Sequence, residues 1–236
     1  MTNVQVLFDA GAHFALPRAR RHPTASPFIY ATKDRTDIFD LEETSACLDA
    51  ARAYVLGLAG RYVLFVGGKH EVAEIVKVAA LRAGVPYVAG RWIGGTLTNF
   101  KNVRKRIDRL QKLTDERESG ALEKYTKRER LLIDREIDEL LARFGGLQSM
   151  TELPAALLVI DSRHEATAVR EAKQLGIPVI GLSSSDCDFS LVKYPIPAND
   201  TSVKSVRLVC DEIAEAYLEG KRSQNVKIEN RNENVK

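Results

Sequence analysis

The chain has 236 residues, of which 44% are hydrophobic and 28% are charged, and its formal net charge is +3. This composition excludes an intrinsically disordered chain, and no run of about 20 apolar residues indicates a membrane span. Three widely spaced cysteines without a C-x-x-C pair exclude a disulfide framework and a cysteine-rich zinc site. The scattered cysteines fit a reducing compartment and the N-terminus lacks the pattern of a signal or transit peptide, so we expect a cytoplasmic protein.

Helix-like and strand-like patterns alternate in the first hundred residues. Asp40 followed by Glu43 resembles a capping box, and apolar residues then recur at helical spacing. Residues 62–66, YVLFV, form a continuous apolar run that is typical of a strand buried on both faces. A second helix is predicted from about Glu71 to Ala83, and a short strand around Tyr87 follows it.

The same alternation returns in the last third of the chain. Residues 156–161, ALLVID, predict a buried strand, a helix follows at about 165–175, and the next strand begins at Pro178. A final helix is predicted from about 201 to 218, ended by Gly220. Because strands and helices alternate, the crossovers are expected to be right-handed. We therefore predict an α/β fold whose parallel, doubly wound sheet lies between two layers of helices.

Residues 96–148 interrupt this alternation. Two segments within them have apolar residues spaced three and four apart, which is typical of coiled-coil helices, with charged residues on the other faces. Gly120 lies between the segments, where the chain can turn, so we predict an inserted antiparallel coiled-coil helical hairpin. The apolar positions are Phe100, Val103, Ile107 and Leu110 in the first segment and Ile133, Ile137, Leu140 and Phe144 in the second.

These patterns divide the chain into three parts. Residues 1–95 and 149–220 are predicted to form a discontinuous α/β domain, and residues 96–148 are predicted to form the inserted hairpin. Residues 221–236 are polar, and we predict that they form a flexible tail.

The turn after the YVLFV strand contains Gly67-Gly68-Lys69, the best candidate for a nucleotide-binding loop. It fits neither a P-loop, whose upstream glycine position is Val63, nor the glycine spacing of a dinucleotide fingerprint. The alternative is a tight turn with an exposed lysine. The four histidines lack zinc-ligand spacing, and the string Ser183–Asp188 follows a strand end, where such residues cap turns. We predict no catalytic site, no cofactor and no metal site.

Basic residues cluster in two places. The first is the proline-flanked segment PRARRHP at 17–23. The second begins at Arg91-Trp92 and continues through Lys101–Lys112, where Asp108 is the only acidic residue before the final lysine. Charges of nearly uniform sign beside a glycine-rich bend can neutralise RNA phosphates, although a solvated helix face is the alternative. Trp92 is predicted to pack within the protein rather than to stack on a base.

Seven motifs, in this order, resemble the bacterial-type family of small-subunit ribosomal protein S-two over about residues 6–220. The most specific of them contains RWIGGTLTNFK. The chain departs from the family pattern at Ala15-Leu16, at Arg21-His22-Pro23 and in residues 183–189. The motifs are LFDAGAHF, LFVGGKHE, GRWIGGTLTNFKNVRKRIDRL, FGGL, LPAALLVIDSRHE, EAKQLGIPVIGL and YPIPAND.

The resemblance implies a flavodoxin-like domain with a protruding hairpin and a structural, non-catalytic role in translation. The implied partners are small-subunit rRNA, neighbouring ribosomal proteins and the messenger-binding protein S-one, in a cytoplasmic, ribosome-bound location of bacterial rather than organellar type. A nucleotide-binding enzyme and a protein-docking scaffold built on the hairpin remain alternative hypotheses. The residues that we predict to contact RNA are Arg18, Arg20, Arg21, Arg91, Asn99, Lys101, Arg104, Lys105, Arg106 and Arg109.

Overall fold

The computed structural model describes residues 3–58 and 60–233. Within these ranges, helices and strands alternate through most of the chain. The elements are α1 (Val4–Asp9), β1 (Phe14–Pro17), β2 (Ile29–Lys33), β3 (Thr36–Phe39), α2 (Leu41–Leu56), β4 (Val63–Val66), α3 (His70–Ala83), β5 (Tyr87–Val88), α4 (Phe100–Glu118), α5 (Lys127–Phe144), β6 (Ala156–Ile160), α6 (Ala166–Gln174), β7 (Val179–Ser183), β8 (Tyr194–Pro197) and α7 (Val203–Glu233).

The larger sheet has five parallel strands in the order β5-β4-β6-β7-β8. Of the strands in this sheet, β4 comes first in the chain and lies second in the sheet, which is the strand order of flavodoxin-like folds. The prediction of a parallel α/β sheet is confirmed. The strand order reverses between β4 and β6, and ligands of such folds bind in the crevice at the carboxyl ends of the strands there.

Successive side chains of the central strands enter two different hydrophobic cores. Val63 and Phe65 pack with residues of α2, α3 and α7, whereas Leu64 and Val66 pack with residues of α4, α5 and α6. All four side chains are fully buried. Helices therefore cover both faces of the sheet, and this explains why β4 is a continuous apolar run instead of an alternating one.

A second sheet contains three antiparallel strands in the order β1-β3-β2, and the sequence patterns do not predict it. The tight turn between β2 and β3 has Asp34 and Arg35 at positive φ, 49° and 65°. Asn-Gly or Asp-Gly ordinarily indicates such a turn, and this turn has no glycine. The basic segment at 17–23 lies in the connection between β1 and β2.

The helices α4 and α5 occupy the region that interrupts the alternation. They are joined by a short 3-10 turn at Ala121–Lys124, and Gly120 enters that turn with a φ of 73°. Val103 of α4 and Ile137 of α5 are buried in the same core as the sheet residue Leu64. The two predicted helices are thus present, while their coiled-coil geometry and the division of the chain into domains stay predictions.

The last helix, α7, continues through Gly220 to Glu233, so the predicted helix end at Gly220 is wrong. A glycine within a helix makes the helix less stable than an alanine would by about 1 kcal/mol. The neighbouring Glu219, Lys221 and Arg222 are good helix formers, so the helix continues. Residues 234–236 of the predicted tail lie outside the described residues. Among the helices of the described chain, none has the length and apolar character that a bilayer span requires.

Candidate nucleic-acid interface

The loop between β5 and α4, residues 89–99, is held by one carboxylate on α6. Glu171 Oε1 accepts hydrogen bonds from the Trp92 indole Nε1 at 3.1 Å and from the Gly95 backbone N–H at 2.7 Å. Its Oε2 accepts from the backbone N–H groups of Leu97 at 3.0 Å and Thr98 at 3.2 Å, and from the Thr98 hydroxyl at 3.3 Å. Glu171 is only 7% exposed, so these donors replace water around its charge.

These hydrogen bonds determine the ionisation of Glu171. Burial by itself would raise the pKa of this carboxyl, but the donors from Gly95, Trp92, Leu97 and Thr98 outweigh it and lower the pKa. The side chain is therefore an anion inside the protein at neutral pH. Trp92 is buried and bonded to it, which confirms the prediction that this indole packs within the protein.

Three of the predicted RNA-contact residues lie at the start of α4 with free charges. Lys101, Lys105 and Arg106 are exposed, and none of them has an ion-pair partner among the described residues. They follow directly after the loop that Glu171 holds. This part of α4 therefore presents cations to solvent beside a loop that hydrogen bonds hold in place.

Two other cations of α4 bond within the protein. Arg104 Nε pairs with Asp108 at 2.9 Å, and its Nη1 donates to the backbone carbonyls of Gln148 and Met150 at 3.2 and 3.1 Å. Arg109 Nε pairs with Glu136 of α5 at 3.2 Å. Arg104 thus attaches α4 to the segment before β6, and Arg109 joins the two helices. RNA contact by these two side chains stays a prediction.

The remaining residues that we predict to contact RNA are likewise either exposed or bonded within the protein. Arg18 and Arg20 are exposed in the 3-10 turn after β1, and Arg91 is exposed in the loop before α4. Arg21 is half-buried, with its Nε 3.6 Å from the buried Asp37 Oδ2. Asn99, at the start of α4, is exposed and accepts a hydrogen bond from the Asn102 amide at 2.9 Å. Contact of Asn99 and of these arginines with RNA stays a prediction.

Comparison with known proteins supplies the family. Residues 7–220 match the family described as "Ribosomal protein S2". The chain belongs to the ribosomal protein S2 family. It is 41% identical to "Small ribosomal subunit protein uS2" of Coprothermobacter proteolyticus, over 95% of this chain and 84% of that protein. It is likewise 41% identical to the protein of that name from Roseiflexus sp. strain RS-1, over 93% of this chain and 85% of that protein. The chain is therefore a structural ribosomal protein and not an enzyme.

The crevice where a flavodoxin-like fold binds its ligand is filled, in this S2-family chain, by the protein's own charges. Lys69 Nζ lies 2.5 Å from Asp161 Oδ2 and 3.2 Å from Asp200 Oδ2. The Gly68 N–H donates to the buried Glu165 carboxylate at 3.0 Å. The tight turn is confirmed, but the expectation of an exposed lysine is wrong, because the Lys69 side chain is only 21% exposed and is paired with both carboxylates. These groups are not available to a nucleotide phosphate.

Close packing alone explains the glycine at position 68, without a bound phosphate. A Cβ there would lie 2.6 Å from Glu165 Oε1 and 2.7 Å from the Gly90 carbonyl oxygen. Contacts that short do not occur for real Cβ atoms, so only glycine fits between the two loops. The nucleotide-like pattern in the sequence therefore reflects close packing of the turn.

The same crevice contains a group that resembles a metal site. Ligand atoms of Asp161, Cys187 and Asp200 lie within 4.8 Å of one another. Burial and the charge of Asp161 raise the pKa of Asp200 to about 6, and burial raises the pKa of the Cys187 thiol to about 12. The Lys69 ammonium already lies between the two carboxylates, and the protonated thiol is a poor ligand. The prediction of no metal site stays a prediction.

Proposed function

We propose that this S2-family chain binds small-subunit rRNA through cations around the β5–α4 loop, as a structural constituent of the bacterial small ribosomal subunit. The observation that supports it best is the group of Lys101, Lys105 and Arg106, which are exposed and unpaired among the described residues. Each phosphate contact by such a cation releases counterions and so favours binding. The relatives named above are small-subunit proteins of bacteria, which supports the bacterial type.

A double charge reversal tests this proposal. Lys105→Glu with Arg106→Glu is expected to lower the subunit-bound fraction of a tagged chain by about tenfold, because two phosphate contacts become repulsive. The free energy of unfolding should change by less than about 0.5 kcal/mol, since both side chains are exposed. Sucrose-gradient sedimentation and urea unfolding measure the two quantities.

The matched control is Lys127→Glu with Arg128→Glu, another exposed pair of neighbouring cations, at the start of α5. It makes the same change in net charge on the adjacent helix. Equal incorporation of both double variants and the unchanged chain would reject the assignment of RNA contact to Lys105 and Arg106.

We further propose that α4 and α5 form an antiparallel coiled-coil hairpin that binds a protein neighbour, with S-one as the partner that the resemblance suggests. The shared buried positions of the two helices and the Arg109–Glu136 pair support the hairpin. Leu131 and Leu132 of α5 are 51% and 56% exposed, and adjacent exposed leucines favour a protein contact.

Removal of that apolar surface tests the docking proposal. Leu131→Ser with Leu132→Ser is expected to release a protein neighbour while rRNA association stays unchanged, because no cation is altered. Deletion of residues 112–130 should also release the neighbour while rRNA association remains, because the proposed RNA contacts Lys101, Lys105 and Arg106 stay in the chain. The bound proteins are compared by mass spectrometry of gradient-purified subunits, with Arg135→Ser as an exposed control on the same helix. An unchanged protein content in the subunits would contradict the proposal.

A further inference from the structure

Two adjacent depressions lie where the edge strand β5 meets the C-terminal end of α5. Their volumes are about 220 and 400 Å³. Arg91 of the β5–α4 loop and Arg143 of α5 line both of them, and Lys77 of α3 lines the smaller one. We call this surface the Arg91–Arg143 cleft. The fold thus unites three cations that lie far apart in the sequence.

The charged side chains that line the cleft are all positive. Among the described residues that line the two depressions, none is acidic. Lys77 pairs with Glu74 at 3.4 Å and Arg143 with Glu139 at 3.7 Å, but both carboxylates lie outside the lining and are mostly exposed. Such exposed pairs within one helix are worth little. Three formal positive charges therefore face a concave surface.

Contacts within the protein hold both walls of the cleft. A Cβ on Gly146 would lie 2.3 Å from the Tyr87 carbonyl oxygen, so the end of α5 is seated directly on β5. Glu171 holds the other wall through Trp92 and Gly95. The carboxyl end of α5 adds a partial negative charge of about one half, which the three cations outweigh. The backbone that carries Arg91 and Arg143 is therefore held in position by internal contacts, so an anion that binds there does not have to order it.

We propose that the Arg91–Arg143 cleft binds phosphate groups of an RNA backbone. This rests on the proposed function and extends it to Arg143 and Lys77, which the sequence patterns do not single out. Arginine presents a planar set of donors that fits phosphate oxygens, and lysine adds a point charge. Two depressions that share two arginines suit a repeating chain of phosphates better than a single free anion, which would fill only one of them.

Neutralisation of Arg143 tests the cleft. Arg143→Gln is expected to lower incorporation of the tagged chain into the small subunit and to reduce the dependence of binding on log salt by about 0.7 to 0.9. Arg135→Gln is the control, because it makes the same change at an exposed position on α5 that does not line the cleft. Equal binding of both variants at every salt concentration would overturn the proposal while the proposed function stands.

A cleavage reagent tethered beside the cleft shows whether RNA lies near the cleft. Iron-EDTA attached at Glu139→Cys, beside the cleft but outside its lining, should cut the small-subunit rRNA at discrete positions. The parent chain, treated in the same way, gives the background from its own cysteines. Normal incorporation without cuts above that background would overturn the proposal.

Two further outcomes separate the alternatives. Micromolar binding of inorganic phosphate to the isolated chain, lost in Arg143→Gln, together with absent rRNA cuts would assign the cleft to a free anion and overturn RNA binding. Failure of the unchanged chain to migrate with the small subunit would instead reject the proposed function, and the cleft proposal with it.

Discussion

At the scale of single residues, one buried carboxylate determines the shape of the loop that presents the candidate RNA contacts. Glu171 accepts five hydrogen bonds from a segment that lies 73 to 79 residues away in the sequence. Packing of Trp92 could be predicted from the sequence, but its partner could not. A glutamate in a helical pattern ordinarily faces solvent, and only the fold shows that this one faces inward.

Replacement of this carboxylate should destabilise the protein. Glu171→Gln is expected to lower the free energy of unfolding by about 2 kcal/mol, because an amide nitrogen then faces backbone N–H donors that lose their acceptor. Urea denaturation measures the change. Glu74→Gln is the control, since Glu74 is 74% exposed and its removal should change the free energy by less than about 0.5 kcal/mol. A Glu171→Gln chain as stable as that control would contradict the structure of the loop.

The effect of Glu171→Gln on the free energy of unfolding should depend on pH. The pKa of Glu171 is lower in the folded chain than the value of about 4.3 in an unfolded chain, so its charge stabilises the fold above that pH. The contribution is lost as the pH falls through the folded-state pKa. Glutamine does not titrate, so the stability difference between the two chains should be constant from pH 7 to about 5 and shrink below about 4. A difference that stays constant down to pH 3 would contradict this.

At the scale of elements, regular repeats could be predicted and irregular turns could not. The apolar run of β4, the helical spacing in α3 and the two segments of α4 and α5 follow from periodicity. The small sheet could not be predicted in this way, because its hairpin turn uses Asp34 and Arg35 without glycine. The end of α7 could not be predicted either, since a lone glycine does not stop a helix of strong helix formers.

The FGGL motif supplies a test of how α5 docks on the sheet. Gly146→Ala is expected to destabilise the protein by about 2 kcal/mol, because the added Cβ would overlap the Tyr87 backbone. Gly145→Ala is the matched control, since a Cβ added there would meet only a flexible Leu141 methyl at 3.8 Å and the Gly145 backbone is helical. Thermal unfolding compares them, and equal melting temperatures would show that α5 does not seat on β5 as described.

At the scale of the whole molecule, the ligand crevice of the α/β fold and the exposed cations lie in different places. The flavodoxin-like sheet has a ligand crevice, but Lys69, Asp161 and Asp200 fill it with internal ion pairs. The exposed cations that we propose as the main RNA contacts lie instead on α4 and on the loop before it. The family and its ordered motifs could be predicted from the sequence. Which cations are free could not, because Arg21 and Arg109 pair with carboxylates distant in the sequence, and Arg104 also bonds the distant carbonyls of Gln148 and Met150.

We propose that these free cations attach the chain to a polyanionic backbone in the small subunit. The most direct test is sedimentation of the tagged, unmodified chain through sucrose gradients at low and at high salt. The chain should migrate with the small subunit at low salt, and the bound fraction should fall as salt rises, because counterion release drives such binding. A chain that stays at the top of the gradient at low salt, or whose binding does not respond to salt, would contradict the claim.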